Sequence, residues 1–170
     1  LRPLRDQLGL TRLRIASCGG ATMAPDVFRM FHAMGVSLRN IYGSTETGLL
    51  TCHQSDRFDL ETVGHWMKAH PEAGAPLEWR VSSDGELQIR GGSPFLGYYR
   101  REGSVESKVK DGWFYTGDAV TKTDRGELVF LERLSDLKRL RSGETFPPQF
   151  VETRLRFSPF IQDIMTVGDE

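Results

Sequence analysis

Cysteine is scarce in this 170-residue chain: Cys18 and Cys52 are the only two. So few thiols give no disulfide framework, and a reducing, cytoplasmic setting is expected, with peripheral contact at a membrane left open. An excess of one charge is also lacking, since 22 Lys and Arg stand against 23 Asp and Glu. No basic field therefore favours nucleic acid or an anionic membrane surface. No apolar run approaches the roughly 20 residues of a membrane-spanning helix, and no signal-peptide pattern is present. Repeats and low-complexity tracts are absent. His32, His53, His65 and His70 are scattered, with no Cys/His cluster at metal-ligand spacing. There is no serine-nucleophile elbow. No Gly-x-x-x-x-Gly-Lys loop is present either, which argues against a kinase or P-loop ATPase within this piece. The basic run Lys138, Arg139 and Arg141 is short and surrounded by acids, so it reads as a solvated turn.

What is there is ordinary for a globular protein: 38% hydrophobic and 26% charged residues, enough chain for one moderate domain or parts of two. Residues 13–17 read as a strand running into Cys18-Gly19-Gly20-Ala21, where glycines allow a sharp turn. Pro25 suits a first helical turn. Val27, Phe28, Phe31 and Met34 recur at helical spacing, and Gly35 suits the stop. Residues 36–42 read as the next strand. Strand, turn, helix and strand make the unit of a parallel α/β sheet, whose ligands bind at strand carboxyl ends. From about residue 63 the pattern shifts to short strands at 77–81, 86–90, 119–121 and 127–131. Turns such as Ser83-Asp84-Gly85, Asp111-Gly112 and Asp124-Arg125-Gly126 separate them. This predicts an antiparallel sheet or small barrel. Residues 149–157 suggest a helix and 161–167 a strand. Domain boundaries are expected near residue 60 and at 133–137, giving units 1–60, 61–132 and 138–170. The chain begins at Leu1 and ends after an apolar stretch, so a piece of a longer protein is expected.

Two short stretches carry the chemistry. Tyr42-Gly43-Ser44-Thr45-Glu46 and Tyr115-Thr116-Gly117-Asp118 each place an aromatic, a hydroxyl and a carboxylate beside a glycine at a strand end. Together they suit a nucleotide with a metal. Tyr42 offers a ring to stack on a purine while its hydroxyl stays wet, although alone it reads better as a core aromatic. Thr45 offers a hydroxyl to phosphate, or caps the turn. Glu46 offers a hard oxygen to Mg2+, or is a solvated acid. Gly19, Gly20 and Ala21 could lie against an adenine edge, or simply turn the chain. Asp118 can accept from both ribose hydroxyls, or stabilise its own turn. Arg133 could reach ribose or phosphate.

The order of these motifs resembles the adenylate-forming superfamily of acyl-CoA synthetases, luciferases and peptide-synthetase adenylation domains. Gly19-Gly20-Ala21 matches its glycine turn, and Tyr42 to Glu46 is similar to its Tyr-Gly-x-Thr-Glu signature. Gly85-Glu86-Leu87-Gln88-Ile89-Arg90-Gly91, followed by Gly97-Tyr98-Tyr99, matches a family strand and the segment after it. Asp111 to Asp118 matches its ribose-binding stretch, and Arg133-Leu134-Ser135-Asp136 its inter-domain hinge. Ser135-Asp136-Leu137-Lys138, Ser142-Gly143-Glu144, Pro148 to Glu152 and Phe157-Ser158-Pro159 resemble the long-chain fatty acyl-CoA synthetase branch. Two departures stand out. Glu132 occupies the place of a common hinge glycine, and the loop to Gly143 is one residue longer than the commonest pattern.

The resemblance implies the end of a doubly wound sheet, then a small antiparallel β-barrel subdomain, then the start of an α+β C-terminal domain. It implies ATP or AMP, Mg2+, coenzyme A and a carboxylic acid as ligands, and the remainder of its own chain as partner. Gly19, Gly20 and Ala21 would line the adenine pocket, Tyr42 would stack, and Gly43 and Ser44 would complete the corner. Thr45 would touch the α-phosphate and Glu46 would hold the metal. Asp118 and Arg133 would bind ribose, and Asp136 would be the pivot. The family's phosphate loop and catalytic lysine would lie upstream and downstream, leaving the isolated piece inactive or nearly so. Rival readings are an adenylation domain loading a carrier-protein thiol, another acid–CoA ligase, and a non-catalytic nucleotide-binding or structural module.

Overall fold

The computed structural model describes residues 1–54, 58–67, 76–91, 95, 97–101 and 105–168; His70 lies outside them. A short helix α1 (Arg2–Gln7) precedes strand β1 (Ala16–Cys18), helix α2 (Pro25–Ala33) and strand β2 (Leu38–Ser44). β1 and β2 pair in parallel, with Ala16 opposite Leu38, as the strand-turn-helix-strand pattern predicts. Pro25 occupies the first turn of α2, where a missing N–H costs nothing. Phe28, with no solvent exposure, anchors the buried face of this helix.

Strand β3 (Gly48–Cys52) turns back antiparallel on β2, and β4 (Gly64–Trp66) follows. Next come β5 (Leu77–Val81), β6 (Glu86–Gly91), β7 (Val109–Lys110), β8 (Trp113–Lys122) and β9 (Glu127–Arg133). A small antiparallel pair, β10 (Lys138–Arg139) with β11 (Thr145–Phe146), precedes helix α3 (Pro148–Leu155). The main sheet has nine strands in the order β1-β2-β3-β4-β9-β8-β6-β5, with β7 on β8. The β4–β9 ladder, Gly64 opposite Leu128, joins the first strands to the later ones without a break.

The expected barrel is an antiparallel sheet that coils on itself. Among the described residues no backbone ladder joins β5 to β4; side chains bridge the gap instead. Trp66 and Trp79 lie 5.4 Å apart, and Trp66 Nε1 donates to the Leu77 carbonyl at 3.4 Å. Leu50, Leu77, Leu87, Ile89, Val120 and Leu128 fill the inside. Each is held there by the removal of apolar surface from water, roughly 25 cal/mol per Å2.

One expected element is absent. Residues 161–167 form no strand, and Met165 and Val167 are each 78% exposed. Their apolar residues suit a strand, but a strand needs a hydrogen-bonded neighbour, and no described strand pairs with them.

His53 pins β2, β3 and the turn after β3 together. It is 2% exposed and stacks on Phe58 at 4.1 Å. Its Nδ1 accepts from the Asn40 amide at 3.0 Å, so Nε2 carries the proton and donates to the Thr62 carbonyl at 3.0 Å. Burial pulls its pKa down from 6.5 to about 4. A protonated Nδ1 would face an N–H donor. Because the folded pKa is depressed, the stability is complete above pH 6.5 and is lost as pH falls toward 4. On the order of 3 kcal/mol should go across that window. Urea unfolding between pH 7.5 and 4 checks this: His53→Gln should flatten the slope relative to the parent, and parallel slopes would remove His53 from the explanation.

Candidate functional site

One cleft opens where β2 ends, with a cavity volume of about 150 Å3. Gly20 and Ala21, Tyr42 to Ser44, Asp118 and Arg133 all line it. These residues come from four places in the chain: the turn after β1, the end of β2, β8 and β9. Gly20 holds φ at +80°, in the left-handed region that glycine occupies without cost, and so turns the chain from β1 toward α2. β2 carries Tyr42 to the cleft at its carboxyl end. β8 and β9 set Asp118 opposite Arg133 in the ladder.

The centre is a clasp of three side chains. The Tyr42 hydroxyl donates to Asp118 Oδ2 at 2.5 Å, and Arg133 Nη1 donates to Asp118 Oδ1 at 2.6 Å. Arg133 Nη1 also donates to the Thr116 carbonyl at 3.2 Å. The Asp118 amide donates to Thr116 Oγ1 at 3.1 Å, and that hydroxyl donates to the Leu87 carbonyl at 2.7 Å. Asp118 is 5% exposed. Burial pushes its pKa upward, while the Tyr42 hydroxyl and the Arg133 guanidinium oppose that rise. The same burial, reinforced by the Asp118 charge, raises the Tyr42 pKa, so the phenol stays protonated. The Tyr42 hydroxyl therefore does not stay in water as expected. Its ring packs at 5.7 Å from Phe130.

Other expected residues stand off the cleft. Gly19 backs the turn, and a Cβ there would lie 2.8 Å from the Ile41 carbonyl oxygen. Thr45 is exposed in the turn between β2 and β3. Glu46 accepts a hydrogen bond from the Tyr98 hydroxyl and borders a second hollow, beside Thr47 and Phe95. That hydrogen bond chiefly holds the Glu46 carboxyl below its ordinary pKa, so it is ionised at neutral pH. Asp136 sits exposed in a single helical turn, accepting from Ser135 Oγ at 2.9 Å. Among the described residues no group of three or more His, Cys, Asp or Glu side chains is gathered for a metal.

The cleft also has walls beyond the candidate nucleotide-binding residues. Asn40, Glu61, Phe130, Phe150 and Arg154 line it. Phe150 falls in the Pro148 to Glu152 stretch, and Arg154, four residues on along α3, shares its helix face; for Arg154 that spacing is the one signal the sequence offers.

Comparison with known proteins identifies the family. The chain is 33% identical over 169 residues to the long-chain-fatty-acid–CoA ligase FadD15 of Mycobacterium bovis, covering 99% of this chain and 27% of that protein. It is 30% identical over 168 residues to a 2-succinylbenzoate–CoA ligase of Bacillus cytotoxicus, covering 92% and 33%. The chain thus spans about a quarter to a third of the length of these curated relatives. Its fold matches o-succinylbenzoate CoA synthetase of Bacillus subtilis, solved with its acyl-adenylate OSB-AMP, at a TM-score of 0.75 and 24% identity, covering 98% of this chain and 36% of that one. A family described as AMP-binding enzyme matches residues 3–99, more than half of the sequence and the part that holds Gly20, Tyr42 and Ser44, so the chain belongs to the AMP-binding enzyme family.

Proposed function

We propose that the whole protein is an AMP-forming acid–coenzyme A ligase that activates a long-chain fatty acid as its acyl-adenylate. One observation carries the reading: Tyr42 and Asp118, 76 residues apart, are joined in one cleft with Arg133 and the Gly20–Ala21 turn. A purine needs a flat apolar face, and Tyr42 supplies one whose hydroxyl is anchored. A ribose needs a carboxylate acceptor, and Asp118 supplies it with a guanidinium beside it. The similarity to FadD15 supports the fatty acid.

In the reaction, a carboxylate attacks the α-phosphate of ATP and releases pyrophosphate; a thiol then displaces AMP. Two anions must meet in the first half. The side chains of the cleft bind and orient the nucleotide, and such positioning can be worth roughly 7–11 kcal/mol in the best intramolecular cases. Glu46, two residues beyond the cleft-lining Ser44, is an ionised hard donor and suits Mg2+, which takes one or two carboxylates and fills its shell with phosphate oxygens and water. When bound, the ion would screen the phosphate charge. Asp136 would pivot the segment that follows it, and Thr45 would meet the α-phosphate.

ATP–pyrophosphate exchange by the full protein tests the reading, with long-chain fatty acids, short acids and 2-succinylbenzoate as substrates. Exchange is expected with the long chains, followed by a coenzyme A thioester. Exchange with no carboxylic acid would end the proposal. AMP release with no thioester on coenzyme A would favour a carrier-protein thiol. The similarity to the 2-succinylbenzoate ligase makes an aryl acid the second substrate class. In the same assay Glu46→Gln should raise the Mg2+ requirement by about tenfold, the loss of one charged ligand. A metal dependence equal to that of the parent would free Glu46 from this role.

A further inference from the structure

We propose that Arg154 is a nucleotide-phosphate ligand of the cleft, supplied by the helix beyond the strand-end turn. The inference rests on the ligase reading and adds a residue that no motif marks.

Three observations support it. The first is how α3 is held. Gln149 donates its backbone N–H to Glu132 Oε2 at 2.8 Å. Glu132 is 1% exposed, and its other oxygen has no partner among the described residues. A buried carboxylate at a helix start satisfies a free amide and complements the helix dipole. It fixes α3 against β9, with Phe150 and Arg154 on the cleft. Second, the Arg154 guanidinium is rigidly presented. It lies 3.3 Å from the centroid of the Phe150 ring, and Nη1 donates to the Phe150 carbonyl at 3.2 Å. A guanidinium has five N–H donors in a planar fork suited to phosphate.

The third observation is the charge balance. The charged side chains lining the cleft are Glu61, Asp118, Arg133 and Arg154. Arg133 is committed to Asp118 at 2.6 Å. Among the described residues the ion pair of Arg154 is a long one, with Glu61 at 3.5 Å, and Glu61 is half-exposed. Arg154 is thus the cleft's more loosely paired cation, and a bound phosphate brings negative charge that needs one.

Calorimetry on the full protein with AMP and with adenosine tests this. Arg154→Met should weaken AMP by about tenfold or more, the usual worth of a charge-assisted contact, and leave adenosine within about twofold. Glu61→Gln removes a competing acceptor and should tighten AMP by roughly twofold or more. AMP binding unchanged in Arg154→Met would overturn the proposal. So would equal weakening of AMP and adenosine, which marks a packing role for Arg154. If Arg154→Met fails to fold, unchanged or weaker AMP binding by Glu61→Gln overturns it instead. A parent protein that binds neither ligand would bring down the ligase reading, and this inference with it.

Discussion

Asp118→Ala in the whole protein should weaken ATP and AMP by roughly tenfold to several hundredfold, since each lost hydrogen bond to a charged group costs about 1.5–3 kcal/mol. The carboxylate is 5% exposed and joins β2 to β9 through Tyr42 and Arg133. Without it the two neighbours behave differently. The Arg133 side chain is 58% exposed and can turn to water at little cost. The Tyr42 hydroxyl is walled in and loses the carboxylate that accepts its proton, which should cost about 1–3 kcal/mol of stability. AMP calorimetry and urea unfolding together check this. Unchanged ATP dependence would take Asp118 out of the ribose role, whatever the effect on stability.

Gly43→Ala should be the more damaging to the fold. A Cβ at Gly43 would sit 2.1 Å from the Gly48 carbonyl oxygen and 3.0 Å from Leu49 Cα. Both neighbours are backbone of β3, so no rotamer change relieves the clash. The β2–β3 register already shifts between Tyr42 and Gly43, and a methyl there would push the strands apart beside the clasp. A loss at the top of the usual 1–3 kcal/mol range, roughly, for overpacking is expected, with weaker AMP binding as Tyr42 moves. The urea midpoint and AMP affinity should fall together; a variant as stable as its parent would mean that β2 and β3 do not approach so closely.

Legibility in the sequence followed local chemistry. The β1–α2–β2 unit could be read because Gly20, Pro25 and Gly35 punctuate it and Phe28 sits on a clear helical stripe. The β5–β6 hairpin announced itself through Ser83-Asp84-Gly85. Strands β3 and β4 escaped because they take their identity from the strands they pair with, β2 and β9. Residues 161–167 misled for the mirror reason: they carry apolar side chains that suit a strand, without a partner strand among the described residues. At the cleft, Tyr42 and Asp118 were visible as motif residues, but their mutual hydrogen bond was not, because only the coiled sheet brings positions 76 apart together. Glu61 and Arg154 lie outside every motif, and folding alone places them there.

The uninterrupted β4–β9 ladder has a practical consequence for anyone dissecting this protein. A chain cut short near residue 60 would strip β4 from β3 and leave Thr51 and Cys52 facing open water with unclaimed backbone donors and acceptors. Bare strand margins recruit other chains. Such a truncation should come out of cells as clumped material, however well its βαβ start is formed.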